Sequence, residues 1–333
     1  MNLLYVYPYA SAERDQLFEY LLPQWRVSKR ANLQPAPDLA AQLSSAHAMV
    51  AMRVPPDLPP APHLKLLQLP GAGYDFISVE ALPADCAVCN VFEHEIAIGE
   101  YVLGVMLSLT LNLGGMDAQL RRGDWSSSLI HSGRIHGELH GKTLGLVGFG
   151  HIGREVARLA VAFGMQSVCV TRSPDKIESG TEMRWALGME HLPRLLGEAD
   201  YVVLACPLTD STRNLMDAGA FARMKPTAFL INVARAAVVD EQALFEACAQ
   251  QRIAGAAIDV WYRYPEYAGE NLTPSRLPFE TLDNVIMTPH ASCWTDQLWV
   301  RRIKVIAENL NRLARGEPLL NRISRADLRQ VWA

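Results

Sequence analysis

The chain has no marked excess of either charge. Its 31 Lys and Arg face 35 Asp and Glu, a formal net charge of −4 over 333 residues. Dedicated nucleic-acid binders are usually strongly basic, so no nucleic-acid partner is expected. No basic lead-in precedes the apolar start MNLLYVY, and Pro8 breaks that run. It is read as a first strand rather than a secretory signal. No apolar stretch reaches the roughly 18 residues that read as a membrane span. The longest, Tyr101 to Leu113, is read as a buried helix, and no membrane partner is expected. Cysteine is sparse: six residues, at 86, 89, 169, 206, 248 and 293. Only Cys86 and Cys89 form a CxxC. No second CxxC or closely spaced His pair completes a zinc set, so no metal is expected. The pair is read as two positions on a strand, and the chain as a reduced, cytoplasmic protein. Repeats and low-complexity tracts are absent too. With 50% hydrophobic and 20% charged residues, the composition excludes a disordered chain and a disulfide-stapled miniprotein.

What is present is an alternation of short apolar runs with longer segments of helical period. Residues 3–7, 48–52, 64–69 and 86–91 read as strands, and residues 11–21, 37–46 and 76–82 as helices. A long helix is expected over 95–119, then a polar stretch over 121–142. Six near-continuous apolar strands follow, at 143–148, 167–171, 200–206, 227–233, 255–260 and 284–288. Strands apolar on both faces and separated by helices predict a buried, doubly wound parallel sheet of Rossmann type. A last amphipathic helix, 295–315, ends at Gly316 and is expected to return to the first unit. The domains are therefore expected to interleave: 1–97 with 295–333 as a smaller flavodoxin-like α/β domain, and 98–294 as the dinucleotide-binding domain.

The strand TLGLV runs into GFGHIG, placing Gly148, Gly150 and Gly153 as GxGxxG between a strand and a helix. That context gives the pattern its meaning. The glycines permit a tight turn and close backbone approach to a pyrophosphate, and the helix beginning near His151 and Ile152 turns its free N–H groups toward that anion. The next strand would end on an acid for a ribose 2′-hydroxyl. It ends instead on Thr171, Arg172 and Ser173, with Lys176 beyond. Arg172 and Ser173 suit a 2′-phosphate, so NADP(H) is favoured, with NAD(H) as the alternative.

With these residues in view, the chain resembles the D-isomer-specific 2-hydroxyacid dehydrogenases along nearly its whole length. The matching stretches are LPGAGYDFI (69–77), LHGKTLGLVGFGHIG (139–153), PLTDSTRNLM (207–216), INVARAAVVDEQAL (231–244), AAIDVW (256–261) and MTPHASCWT (287–295). The resemblance implies that 1–97 with 295–333 is a split substrate-binding domain around a central cofactor domain, with an active site in the cleft between them, a homodimer built on the cofactor domains, and a small anionic 2-keto or 2-hydroxy acid as substrate. Arg235 falls on the family's substrate-binding arginine, and a guanidinium suits a carboxylate beside a carbonyl. His290 falls on the catalytic histidine; a ring titrating near pH 6.5 can give a proton to a nascent alkoxide and take it back. Ala72 and Gly73 match the loop whose amides bind the substrate carboxylate. Cys206, Pro207, Thr212, Val233, Ala234 and Asp259 match cofactor contacts.

The chain departs from the family at one place. The glutamate that pairs with the histidine, counted from the Asp of the DV motif (Asp259-Val260 here), falls on Tyr264. Either Tyr264 fills that slot, or Glu266 reaches back, or the partner is lost. The leading expectation is an active reductase with Tyr264 beside His290, and a histidine pKa below that set by a carboxylate neighbour. Arg53 and His94 are weaker candidates for lining the substrate site, and Trp261 and Trp294 for an apolar wall. The leading function is NADP-linked reduction of a small 2-keto acid such as glyoxylate or hydroxypyruvate. The alternatives are a formate-like anion dehydrogenase and a non-catalytic dinucleotide sensor resembling a corepressor.

Overall fold

The computed structural model describes residues 1–7, 15–133, 135–178, 183–266 and 269–329. The chain divides into two compact units, Met1–Glu93 with Thr295–Ala333, and His94–Trp294.

The first unit is built on five parallel strands: β1 (Asn2–Val6), β2 (Arg26–Arg30), β3 (Ala48–Val50), β4 (Leu66–Gln68) and β5 (Ala87–Cys89). Their spatial order is β5-β4-β3-β1-β2. This is the flavodoxin-like order, with its reversal between β1 and β3. Strands β3, β4 and β5 are buried at every position, which is why they read as plain apolar runs. The helix Asp296–Arg315 lays Ile303, Ile306 and Leu310 against this sheet and ends at Gly316 in the left-handed region. Beyond it, Arg322–Ile323 pairs antiparallel with β5.

Three expectations for this unit change. Strand β2, RVSKR, was not expected, because its charged edge gives no apolar run. The helix expected over 76–82 reduces to a single 3-10 turn, Val79–Ala81. Of the helix expected over 11–21, Gln16–Tyr20 is 3-10, and residues 11–14 lie outside the described residues.

The second unit carries seven parallel strands among the described residues: β6 (Thr143–Val147), β7 (Gln166–Val170), β8 (Trp185–Leu187), β9 (Tyr201–Leu204), β10 (Phe229–Asn232), β11 (Gly255–Ile258) and β12 (Val285–Met287). Their order is β12-β11-β10-β9-β6-β7-β8. The direction of winding reverses between β6 and β9, and ligands bind outside the carboxyl ends of strands at such a point. Gly145 on β6 lets the helix Leu192–Glu198 lie close. A Cβ there would stand 2.7 Å from Leu195 and 2.8 Å from Ala199.

The edge strand β8 was not expected; three half-buried residues leave little pattern to read. The helix expected over 95–119 is two helices, Glu95–Leu111 and Leu113–Arg121, bent by 56°. Asn112 adopts the left-handed conformation between them (φ 54°) and caps the first. Among the described residues no single helix is long and apolar enough to cross a membrane.

Candidate active site

The carboxyl ends of β6 and β9 hold the glycine loop. Gly148 has φ +97°, and a Cβ there would meet the Ala205 carbonyl at 2.8 Å. At Gly153 a Cβ would meet the Gly148 carbonyl at 2.5 Å. The fold itself requires both glycines. Gly150 is different: its φ is −82°, and a Cβ would have nothing within 4 Å. Its bare backbone faces open space at the start of the helix His151–Ala162, whose first turn has no side-chain cap. The first-turn N–H groups of His151, Ile152 and Gly153 have no partner within the helix. A diphosphate fits this arrangement, because it needs both the anion-binding amides and the missing side chain.

After β7, Thr171 is tied by its amide to Leu187 of β8. Arg172 and Lys176 are both exposed. Ser173 begins the 3-10 turn Pro174–Lys176. These groups can meet a phosphate beyond the strand. On the other side of the switch, Cys206 is buried and its thiol is pushed up to about 11 by that burial, whereas Pro207 is exposed. Thr212 is buried. Its hydroxyl donates to the Pro207 carbonyl (2.8 Å) and accepts the Thr209 amide (2.8 Å), so it closes its own loop.

Past β10, Val233 and Ala234 are buried and Arg235 turns its guanidinium over the strand end, donating to the Ala234 carbonyl at 2.8 Å. Asn232 tightens this turn from below. Fully buried, it accepts the Ala234 amide and donates to the Arg235 carbonyl. The sequence reading missed it, since an Asn in an apolar strand gives no sign of what its amide will hold.

Past β12, His290 sits in the left-handed region (φ 57°), which a non-glycine residue adopts only at a cost. The carboxylate of Asp259, just beyond β11, holds the segment in this shape. It accepts the Thr288 hydroxyl (2.6 Å), the Ala291 amide (2.8 Å) and the Ser292 amide (3.0 Å), so it bonds on both sides of His290. Because the Thr288 hydroxyl gives its hydrogen to Asp259, the Tyr101 hydroxyl donates to Thr288 (2.8 Å). Burial pushes the Tyr101 phenol up to about 12, so it stays a donor. Asp259 has no exposed surface. In this arrangement its carboxylate is engaged by the histidine loop. Thr288 and Tyr101 were missed because their meeting depends on tertiary contacts.

Tyr264 stands at His290. Its hydroxyl oxygen is 2.9 Å from Nδ1 of the ring and accepts the Trp261 amide at 3.1 Å. Glu266 is exposed, and its own amide donates to Glu270. Burial holds the His290 pKa below its ordinary 6.5; Asp259 opposes this and Arg235 adds to it. Burial raises the Tyr264 phenol above its ordinary 10, while the Trp261 amide and Arg235 pull it back. Arg235, Tyr264, His290 and Asp259 thus form one electrostatic group. It sets a guanidinium beside an imidazole whose partner is a phenol.

The remaining candidates separate from this group. Trp261 is core rather than pocket wall: it is 5% exposed, packs on Phe279, and donates from its indole to the Thr288 carbonyl. Trp294 is exposed. His94 is buried before the helix Glu95–Leu111; Glu95 lies 3.9 Å from both His94 and His151. In the first unit, Arg53 is exposed and stacks on the Phe76 ring at 4.1 Å from its centroid. The Ala72 and Gly73 amides donate to no carbonyl among the described residues, and the Ala72 carbonyl accepts the Asn90 amide group.

Comparisons with known proteins agree in direction. The profile described as D-isomer specific 2-hydroxyacid dehydrogenase, NAD binding domain, matches residues 103–292. The chain is 34% identical over 276 residues to D-3-phosphoglycerate dehydrogenase of Methanocaldococcus jannaschii, a match covering 81% of this chain but only 49% of that enzyme. The chain therefore spans about half the length of that relative. It is 35% identical over 264 residues to glyoxylate reductase of Pyrococcus furiosus, covering 77% of this chain and 75% of that one. Among solved structures, a D-isomer specific 2-hydroxyacid dehydrogenase from Xanthobacter autotrophicus Py2, in complex with NADPH and MES, superposes with a TM-score of 0.76 at 26% identity. That match covers 98% of this chain and 99% of that chain.

Proposed function

The chain belongs to the D-isomer-specific 2-hydroxyacid dehydrogenases, and from that premise we propose that it reduces a small 2-keto acid to the D-2-hydroxy acid with NADPH. The observation that carries this reading is the grouping of Arg235, His290 and Tyr264 at the carboxyl ends of one parallel sheet that also bears the glycine loop. The bound dinucleotide supplies the hydride. Arg235 grips the substrate carboxylate and polarises the adjacent carbonyl. His290 protonates the carbonyl oxygen as it becomes an alkoxide. Asp259, Thr288 and Tyr101 hold the histidine loop in place. Gly150 and the amides of His151, Ile152 and Gly153 take the diphosphate. Arg172, with Ser173 and Lys176, takes the 2′-phosphate that distinguishes NADP from NAD. Ala72 and Gly73 offer backbone N–H groups to a carboxylate.

Glyoxylate and hydroxypyruvate are the first substrates to try, since relatives carry the names glyoxylate reductase and hydroxypyruvate reductase. All six cysteines are thiols, which suits a reducing, cytoplasmic setting. Leu129, Ile130 and Ile135 are 96%, 82% and 94% exposed in the stretch after the helix Leu113–Arg121, and this exposed apolar surface supports the reading of a homodimer that buries it. NADPH and NADH oxidation measured against a 2-keto acid panel, with and without His290→Ala, tests the reading. NADPH-linked turnover that falls about 10²–10⁴-fold in the variant is expected. Tight dinucleotide binding with no turnover on any substrate would point to the sensor instead.

A further inference from the structure

The phenol of Tyr264 does something that a carboxylate in its place does not. Its oxygen already accepts the Trp261 amide, and among the described residues its own hydrogen has one acceptor, Nδ1 of His290 at 2.9 Å. With that hydrogen given to Nδ1 of the neutral ring, the ring's single hydrogen sits on Nε2. A carboxylate has no hydrogen to give and enforces the opposite tautomer, with Nδ1 protonated. The groups facing this pair are Arg235 and Asp259. Arg235 disfavours a second positive charge on the ring and favours a transient negative charge on the phenol.

We infer that Tyr264 is a positioning residue that relays a proton, so that His290 acts as an acid while its ring is neutral. The inference rests on the reductase reading above. As the substrate oxygen forms its O–H bond, Nε2–H breaks. Together with it, the phenol O–H breaks and Nδ1–H forms. The phenolate left behind is held by the Trp261 amide and faces the Arg235 charge. After product leaves, Nε2 takes a proton from hydronium, and the Nδ1 proton returns to the phenol oxygen. One solvent proton is consumed per turnover, as reduction of a carbonyl by hydride requires. The tyrosine is 48% exposed, so water reaches the site. Desolvation lowers the His290 pKa, which disfavours imidazolium and gives such a relay its use.

Two measurements on the full chain test it. The first is ¹⁵N NMR of the histidine rings in the protein without nucleotide, where His290 is expected as the Nε2–H tautomer. A wild-type Nδ1–H tautomer would overturn the relay. The second is the pH dependence of kcat/KM for NADPH-linked reduction of a 2-keto acid. The wild type is expected to stay level between about pH 6 and 8. Tyr264→Phe, which keeps the ring but not the hydrogen, is expected to fall about tenfold per pH unit above the histidine's own titration. Tyr264→Glu, a second variant should the first fold poorly, is expected to move that fall to higher pH, because a carboxylate stabilises imidazolium. Parallel profiles for the wild type and Tyr264→Phe would overturn the relay and leave the reductase reading intact. A wild type that turns over no 2-keto acid would overturn both.

Discussion

Replacing Asp259 by Asn asks what its carboxylate is for. The side chain has no exposed surface and accepts three hydrogen bonds, from the Thr288 hydroxyl and from the Ala291 and Ser292 amides. In its best placement, Asn keeps a carbonyl toward Thr288 and Ala291 and turns its NH₂ group at the Ser292 N–H. One charge-assisted bond is lost, which costs about 1.5–3 kcal/mol, and two donors then face each other in a dry site, which adds about 1–3 kcal/mol. A neutral amide is cheaper to bury than a carboxylate, which offsets part of the loss. The expected net loss is about 2–3 kcal/mol, or a Tm drop of about 4–12 °C for a unit of this size. Activity is expected to fall as well, because the Ser292 anchor on one side of the His290 segment is lost. NADPH affinity, read by fluorescence titration, is expected to hold. Thermal melts with and without NADPH separate the possibilities. An unchanged Tm combined with weakened NADPH binding would show that Asp259 serves the cofactor and not the loop.

Four further outcomes are expected. Gly153→Ala should lower stability by about 1–3 kcal/mol in urea unfolding, since its methyl group meets a carbonyl, whereas Gly150→Ala should leave stability intact and abolish dinucleotide binding by calorimetry. Arg172→Ala should weaken NADPH binding about 10–100-fold and leave NADH binding nearly unchanged, because a charge-assisted bond contributes about 1.5–3 kcal/mol. His290 has a depressed pKa in the folded chain, so its contribution to stability is complete above the ordinary 6.5 and is lost as pH falls through the folded value. Denaturant midpoints of the wild type relative to His290→Gln should therefore decline below about pH 6.5 and run level above it. The double change Leu129→Asp with Ile130→Asp should produce monomers in analytical ultracentrifugation with an unchanged circular dichroism spectrum.

Burial on both faces made most of the fold readable. Strands β6, β9, β10 and β11 are buried at nearly every position, and an uninterrupted short apolar run between helices suits little but a central strand. The strands that went unread, β2 and β8, are edges whose residues answer to solvent as much as to the sheet. The break at Asn112 was hidden because the left-handed cap is one polar residue inside an otherwise helical stretch. At the site, the count from Asp259 indicated Tyr264 at the histidine, and the structure has the two 2.9 Å apart. Asp259 shows the opposite limit. Its identity was plain in the sequence, but its bonds go to Thr288, Ala291 and Ser292, and a linear pattern carries no information about which distant backbone amides a buried carboxylate will meet.

Strand β2 forms one outer rim of the smaller unit's sheet. An outermost strand presents unpaired N–H and C=O groups, a template on which another chain can add. Here that rim reads Arg26, Val27, Ser28, Lys29 and Arg30, with Arg26, Ser28 and Lys29 exposed. Lys29 pairs with Asp15, and Arg30 is drawn to Asp38 and Gln42. A second copy approaching edge to edge would have to bring like charges together and strip these ion pairs. At the opposite rim the sheet stops on only two residues, Arg322–Ile323. The smaller unit is thus insulated against growing by strand addition, and a Lys29→Val with Arg26→Thr variant would be the one to watch for fibrils.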